Sequence, residues 1–325
     1  MSQNKMDWKD KKVLVTGSEG FIGSHLVEAL VKLGAKVTSL VKNNFQQNLG
    51  FIDEFGMETA KKIKIRFADL NDCEAVKNAV SGNTIVFNLA AEISVPYSYE
   101  NPRTFLHTNT IGTFNMLSAC RESKIERFIQ MSTSEVYGTP DRIPITEDQL
   151  LKGQSPYSAS KIAAEKLVES FYCSYGLPAV IVRAFNTYGP RQSARAIIPA
   201  VITQALFKNE IFIGNTKPTR DFNFVTDIVG GLIKIAECPK LIGEVVNIGT
   251  GKEISVGELL RKIILLTDSN AKPVPETKRF RPSQSEVMRL CADNSKVKKY
   301  TGWRPLVDLE HGLEKTIRWI KDNPG

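Results

Sequence analysis

The chain of 325 residues is poor in the side chains that staple a fold or hold a metal. Its five cysteines (Cys73, Cys120, Cys173, Cys238 and Cys291) lie far apart with no Cys-x-x-Cys pair. That pattern excludes a disulfide framework and points to reduced thiols. The three histidines, His25, His107 and His311, are too few and too dispersed for a zinc site, so no metal is expected. No apolar run approaches the ~18 residues that span a bilayer, and the polar opening MSQNKMDWKDKK has no signal-peptide core. A cytoplasmic protein without membrane contact is the expectation. Internal repeats, low-complexity tracts and long blocks of one charge are missing as well. The basic excess, 43 − 35 = +8, is scattered in short pairs such as Lys11-Lys12, Lys61-Lys62 and Lys298-Lys299. Such pairs are solvated faces and imply no nucleic-acid partner, while a moderate positive field suits an anionic small molecule.

What is present is the alternation of two periodicities. Hydrophobic residues make up 42% and charged residues 24%, enough for a large core. Lys12–Thr16 is a short apolar run ending in glycine, and Phe21–Leu33 follows with Ile22, Leu26 and Leu30 at helical spacing. Gly34 stops that helix and Ala35–Val41 resumes a strand. Further runs stand at Ile63–Phe67, Thr84–Leu89, Phe128–Met131 and Ala179–Ala184, with helical stretches at Thr104–Arg121 and Ser158–Tyr175. This order predicts an α/β protein with a doubly wound parallel sheet. After Pro190 the pattern loosens, prolines cluster, and helices are expected at Val256–Leu266 and Leu309–Lys321. Residues 1–190 are assigned to the sheet domain and 191–325 mainly to a smaller lobe. Strands within 220–250, such as Val245–Ile248, are expected to return to the sheet.

The first strand runs into Gly17-Ser18-Glu19-Gly20-Phe21-Ile22-Gly23. Gly17 permits a tight turn, Gly20 lets backbone approach a pyrophosphate, and Gly23 lets the helix pack on the strand with its N-terminus facing phosphate. The second strand ends Leu40-Val41-Lys42-Asn43-Asn44, without the acid that usually reads the ribose hydroxyls of NAD. Lys42 could meet a 2′-phosphate or be a solvated lysine, so the cofactor is NADP or NAD with a lean to NADP. Asp69, after the third strand, is a candidate acceptor for the adenine amino group.

Tyr157 and Lys161 form Tyr-x-x-x-Lys, which puts both on one helix face. An ammonium beside a phenol is expected to lower the phenol towards neutrality, so that it can take an alcohol proton while hydride leaves. Thr133 and Glu135, in Ser132-Thr133-Ser134-Glu135-Val136-Tyr137-Gly138, stand just beyond a strand's carboxyl end. Thr133 can bond the same substrate hydroxyl, and Glu135 offers a second proton-transfer group. It could equally be a helix N-terminal acid.

Together with Asn88-Leu89-Ala90-Ala91 and Arg183-Ala184-Phe185-Asn186-Thr187-Tyr188-Gly189-Pro190-Arg191, these motifs resemble the extended short-chain dehydrogenase/reductases acting on nucleotide sugars. The resemblance implies a Rossmann domain for NAD(P), a C-terminal lobe for the nucleotide sugar, and a homodimer. In that dimer Thr104–Arg121 and Ser158–Tyr175 pair through Phe105, Ile111, Phe114, Leu117, Ile162, Leu167, Val168 and Phe171. It assigns the cofactor to Gly17, Gly20, Phe21, Ile22, Gly23, Lys42, Asp69, Leu70 and Ala90, with Tyr157 and Lys161. It assigns the nucleotide sugar to Ser134, Asn186, Arg191, Arg220 and Arg281.

Three chemistries share this apparatus: 4-epimerisation, 4,6-dehydration and uronate decarboxylation. Glu135 disfavours the epimerase, whose members usually carry a small or uncharged residue there. Ser134 stands where many dTDP-glucose dehydratases carry an aspartic acid. The stretches Gln154–Lys161, Asn186–Ala196 and Arg281–Ser295 resemble N-acetylglucosamine 4,6-dehydratases of legionaminic acid pathways. A dehydratase of a nucleotide-linked acetamido sugar is therefore expected first, a UDP-glucuronate decarboxylase second and an epimerase third. A non-catalytic NADP-binding sensor is disfavoured by the intact Thr133, Glu135, Tyr157 and Lys161.

Overall fold

The computed structural model describes residues 6–43 and 46–324. Its centre is one seven-stranded sheet built from β1 (Lys12–Thr16), β2 (Lys36–Val41), β3 (Ile63–Phe67), β4 (Ile85–Asn88), β5 (Arg127–Thr133), β6 (Ala179–Ala184) and the strand Val245–Ile248. The spatial order is Val245–Ile248, β6, β5, β4, β1, β2, β3, and every neighbouring pair is parallel. Central strands are covered on both faces, which is why β6, AVIVRA, is buried along its whole length. β3 lies at the edge and alternates instead, exposing Lys64 and Arg66. The order reverses between β1 and β4, so a crevice opens at their carboxyl ends. This is the doubly wound Rossmann architecture expected from the alternation.

Helix α1 (Phe21–Lys32) and the helix Val225–Ala236 cover one face through Leu26, Leu30, Ile228 and Leu232. Helices Cys73–Val80, Gly112–Glu122 and Pro156–Tyr175 cover the other through Val76, Met116, Leu117 and Val168. Each such fully buried aliphatic side chain contributes about 1.5–3 kcal/mol. A third core joins helices Ile197–Phe207, Val256–Thr267 and Leu309–Asp322 through Ile202, Leu260, Ile263, Leu313 and Ile317. A parallel strand pair, Glu210–Ile213 with Lys272–Pro275, accompanies it.

The stretch expected as one helix over Thr104–Arg121 is three pieces. A short helix Pro102–Phe105 passes into a π-helical turn, Leu106–Ile111, and then into Gly112–Glu122. Such a turn adds a residue to the ladder and re-aims side chains. Of the residues expected on a dimer face, Phe105, Leu117, Val168 and Phe171 are buried within the subunit. Ile111 and Phe114 remain exposed, as do Leu106, Tyr172 and Tyr175. Among the described residues no helix is long and apolar enough to cross a membrane, and no cluster of ligating side chains could hold a metal.

Candidate active site

The glycine turn is a cradle made almost entirely of backbone. Gly17 sits at φ +65, and a Cβ there would lie 2.9 Å from the Ala90 Cα. A Cβ on Gly23 would come within 2.0 Å of the Gly17 carbonyl oxygen, so no larger residue lets α1 start so close to β1. Gly20 caps α1 with no side chain of its own, leaving the first N–H groups free to face an anion. Ala90 is fixed from below: the N–H groups of Leu89 and Ala90 both donate to Thr16 Oγ1 at 3.0 Å. Thr16 Oγ1 donates to Asn88 Oδ1 at 2.8 Å, and Asn88 Nδ2 to Gln130 Oε1 at 2.9 Å. A cradle that a single Cβ would fill, ending on an open helix N-terminus, fits a dinucleotide pyrophosphate.

Around it, Phe21 packs edge-on against His25 and Ile22 packs against the core. Asp69 accepts the Asn71 N–H at 2.9 Å, and Leu70 lies close against Gly112. The end of β2 differs from its sequence in isolation. Lys42 Nζ lies 3.2 Å from Glu92 Oε1, and the Lys42 N–H donates to Glu19 Oε1 at 2.9 Å.

The helix Pro156–Tyr175 opens with a Ser155–Ser158 capping box and Pro156 in its first turn. That start aims Tyr157 and Lys161 at the carboxyl end of β5. Lys161 Nζ donates to the Met131 carbonyl at 2.7 Å, and Thr133 is the hydroxyl group beside the Tyr157 phenol. Thr133 also caps the short turn Ser134–Tyr137, its Oγ1 accepting the Glu135 N–H at 3.2 Å. Tyr157, Thr133 and Glu135 thus meet at one corner.

The expected depression of Tyr157 is not found. Burial pushes its phenol up to about 12, the Thr133 hydroxyl offsets only part of that, and the Glu135 charge adds to it. Burial likewise pulls Lys161 down to about 8, with Glu165 working against it. Desolvation dominates at both groups, and the Lys161 ammonium gives one of its hydrogens to the Met131 carbonyl.

The π-helical turn supplies a residue that sequence reasoning missed. Asn109 is buried, donates to Ser160 Oγ at 2.9 Å and to the Glu92 carbonyl at 3.0 Å, and accepts the Glu92 N–H at 2.8 Å. It ties the helix Pro156–Tyr175 to the loop beyond Ala90. No local motif marks it, because its role depends on the extra residue in the helix ladder. A second unforeseen network lies beneath: Arg183 Nη2 pairs with Glu165 Oε2 at 2.7 Å, and Ser132 Oγ donates to Glu165 Oε1.

Facing Glu135 from a segment 146 positions further along the chain is Arg281, whose Nη1 lies 3.3 Å from Oε2 and 3.4 Å from Oε1. Burial draws that guanidinium's pKa down, but the charges of Glu135 and Glu286 raise it above the ordinary value. Arg220 is buried, with its Nη2 3.8 Å from Glu286 Oε1. Ser134 is buried in the same turn as Glu135. Asn186 Oδ1 is buried with no hydrogen-bond partner, an acceptor waiting for a donor. Arg191 is directed elsewhere: it pairs with Glu28 of α1 at 2.8 Å and with Glu54 at 3.8 Å, over the Phe55 ring.

The chain resembles known proteins along nearly its whole length. The chain is 32% identical to human dTDP-D-glucose 4,6-dehydratase over 96% of its own length and 91% of the relative's. It is 35% identical to a UDP-N-acetyl-α-D-glucosaminuronate decarboxylase of Bacillus cytotoxicus, over 96% and 98%. Among solved structures, the NAD-dependent NDP-hexosamine 5,6-dehydratase TunA of tunicamycin biosynthesis superposes with a TM-score of 0.86 at 30% identity, covering 96% of this chain and 98% of that one. The profile of the GDP-mannose 4,6 dehydratase family matches residues 14–316. The chain is an enzyme of the GDP-mannose 4,6 dehydratase family.

Proposed function

We propose that the enzyme is a nucleotide-sugar 4,6-dehydratase that uses NAD and converts an NDP-hexose, NDP-N-acetylglucosamine foremost, to its 4-keto-6-deoxy sugar. The observation that carries this reading is the corner where the Tyr157–Thr133 pair meets a carboxylate, Glu135, tied to Arg281. Tyr157 takes the C4 hydroxyl proton, with Thr133 holding that hydroxyl and Lys161 the ribose side of the cofactor. NAD+, if held by the glycine cradle with Lys161 at its ribose, would take the hydride from C4 and, once reduced, would return it to C6, and its positive ring would favour the ionised phenol. The 4-keto group acidifies C5, Glu135 removes that proton and passes it to the departing C6 hydroxyl, and water leaves; when hydride returns to C6, C5 regains a proton that replaces the one Tyr157 took from the C4 hydroxyl. Oxidation at C4 and reduction at C6 balance, so no outside reductant is consumed. Asn186, Arg220 and Arg281 hold the diphosphate from residues 191–325 and the strand ends below, with Ser134 near the sugar. Gly17, Gly20, Phe21, Ile22, Gly23, Asp69, Leu70 and Ala90 line the cofactor groove.

A second reading, uronate decarboxylation, is favoured by Arg281 beside Glu135, since a guanidinium there suits a C6 carboxylate. A panel of nucleotide sugars followed by mass spectrometry separates the two, because loss of water and loss of carbon dioxide differ in mass. Glu135→Gln keeps shape but removes the base, so reduced cofactor should accumulate while product formation falls by about a hundredfold or more. Product at the wild-type rate would refute the role of Glu135. The exposed Leu106, Ile111, Phe114, Tyr172 and Tyr175 support a homodimer through these helices. Light scattering that finds only monomer at micromolar concentration would overturn it.

A further inference from the structure

We infer that Glu19, inside the glycine turn, is the residue that selects NAD over NADP, replacing the acid that the end of β2 lacks. Its Oε1 accepts the Lys42 N–H at 2.9 Å, which holds the carboxylate against the carboxyl end of β2. Its Oε2 is buried and has no hydrogen-bond partner. The turn that follows β2 locks it there: the Phe51 N–H donates to the Glu19 carbonyl at 3.1 Å. Gly50, at φ +56, approaches that oxygen so closely that a Cβ would stand 2.6 Å from it. A buried carboxylate oxygen without a donor is costly and calls for one. At this strand end, beside the pyrophosphate cradle, the donors at hand are the vicinal hydroxyls of an adenosine ribose.

The same geometry opposes a 2′-phosphate. Its negative charge would face the Glu19 carboxylate, and like charges at short range repel. Lys42, the cation that sequence alone offers to that phosphate, has a carboxylate at each end: Glu19 on its N–H and Glu92 at 3.2 Å from its ammonium. Glu19 thus accepts from the ribose and repels its phosphorylated form. The selection holds whichever nucleotide sugar the enzyme turns over, because it concerns the far end of the cofactor.

Calorimetric titration of the intact enzyme tests this without any turnover. Wild type should bind NAD+ about a hundredfold more tightly than NADP+, and Glu19→Gln should shrink that ratio by about tenfold or more, mainly by strengthening NADP+. NADP+ bound by wild type as tightly as NAD+ overturns the inference, as does an unchanged ratio in a folded Glu19→Gln protein. If that variant does not fold, wild type decides alone. NAD+ lacking the ribose 2′-hydroxyl should bind about tenfold more weakly, and equal binding overturns the assignment.

Discussion

The groove at the glycine turn and the charged corner at Glu135 lie along the same carboxyl edge of one sheet and are built by opposite means. The groove is a matter of backbone: Gly17, Gly20 and Gly23 fall within seven residues, and its specificity is what a Cβ would obstruct. The corner is a matter of side chains drawn from distant segments, with Glu135 and Arg281 separated by 146 positions and Arg220 and Glu286 arriving separately. Backbone shape is rigid and tolerates no addition. Paired charges tolerate replacement of one partner in shape but not in charge, because the other is left buried and uncompensated. The same edge therefore has one half that fails by crowding and one that fails by imbalance.

The largest effect is expected where the halves meet. Tyr157→Phe should remove hydride transfer by about 10²–10⁴-fold while leaving the affinities for NAD and nucleotide sugar near wild type, read by single-turnover absorbance of reduced nicotinamide. A large loss of either affinity would mean that Tyr157 belongs to one half rather than to their junction. Next comes crowding of the groove. Gly23→Ala should weaken NAD at least tenfold and destabilise the fold by about 1–3 kcal/mol, seen in calorimetry and in thermal melting, with little change for the nucleotide sugar. Imbalance at the corner should do the reverse. Arg281→Ala should raise the nucleotide-sugar KM about tenfold and leave the NAD affinity unchanged. Loss of both affinities in either variant would break the division between the halves.

The smallest expected effect is a pH dependence of stability. Burial holds Lys161 at about 8 in the folded chain against an ordinary 10.5. Between those values the unfolded chain binds more protons, so stability rises with pH. Lys161→Met removes the titrating group. The stability of wild type relative to this variant should therefore increase by on the order of 1–2 kcal/mol from pH 8 to pH 10, measured by urea unfolding. Tyr157, with its phenol pushed up to about 12, acts in the opposite sense only above its ordinary 10.0, outside that window. A flat difference between the two proteins would mean that Lys161 stays charged on its Met131 partner.

Much of the fold was legible because apolar periodicity is local. β1, α1 and β6 lie where their spacing put them, and the strand Val245–Ile248 lies in the same sheet, beside β6. The grouping of the four proposed catalytic residues was legible for a related reason: Tyr157 and Lys161 share a helix face, and Thr133 and Glu135 lie at one turn. Less visible was the break at Leu106–Ile111, since the amino acids of a π turn resemble those of the helix on either side. The ionisation of Tyr157 was misjudged because burial is a property of the packed chain. Spacing showed an ammonium near a phenol and could not show that both would lose their water.

By itself, then, the sequence determined the alternation of strands and helices, the glycine turn, and which side chains could move protons, all set by contacts a few residues long. Only the tertiary structure decided what surrounds the end of β2. Glu19 and Glu92 stand 23 and 50 positions from Lys42, and strands β2, β1 and β4 must lie side by side before those carboxylates can meet one lysine. Charge acts through space rather than along the chain, so a lysine that looks like a phosphate ligand in the sequence is held between two acids in the fold.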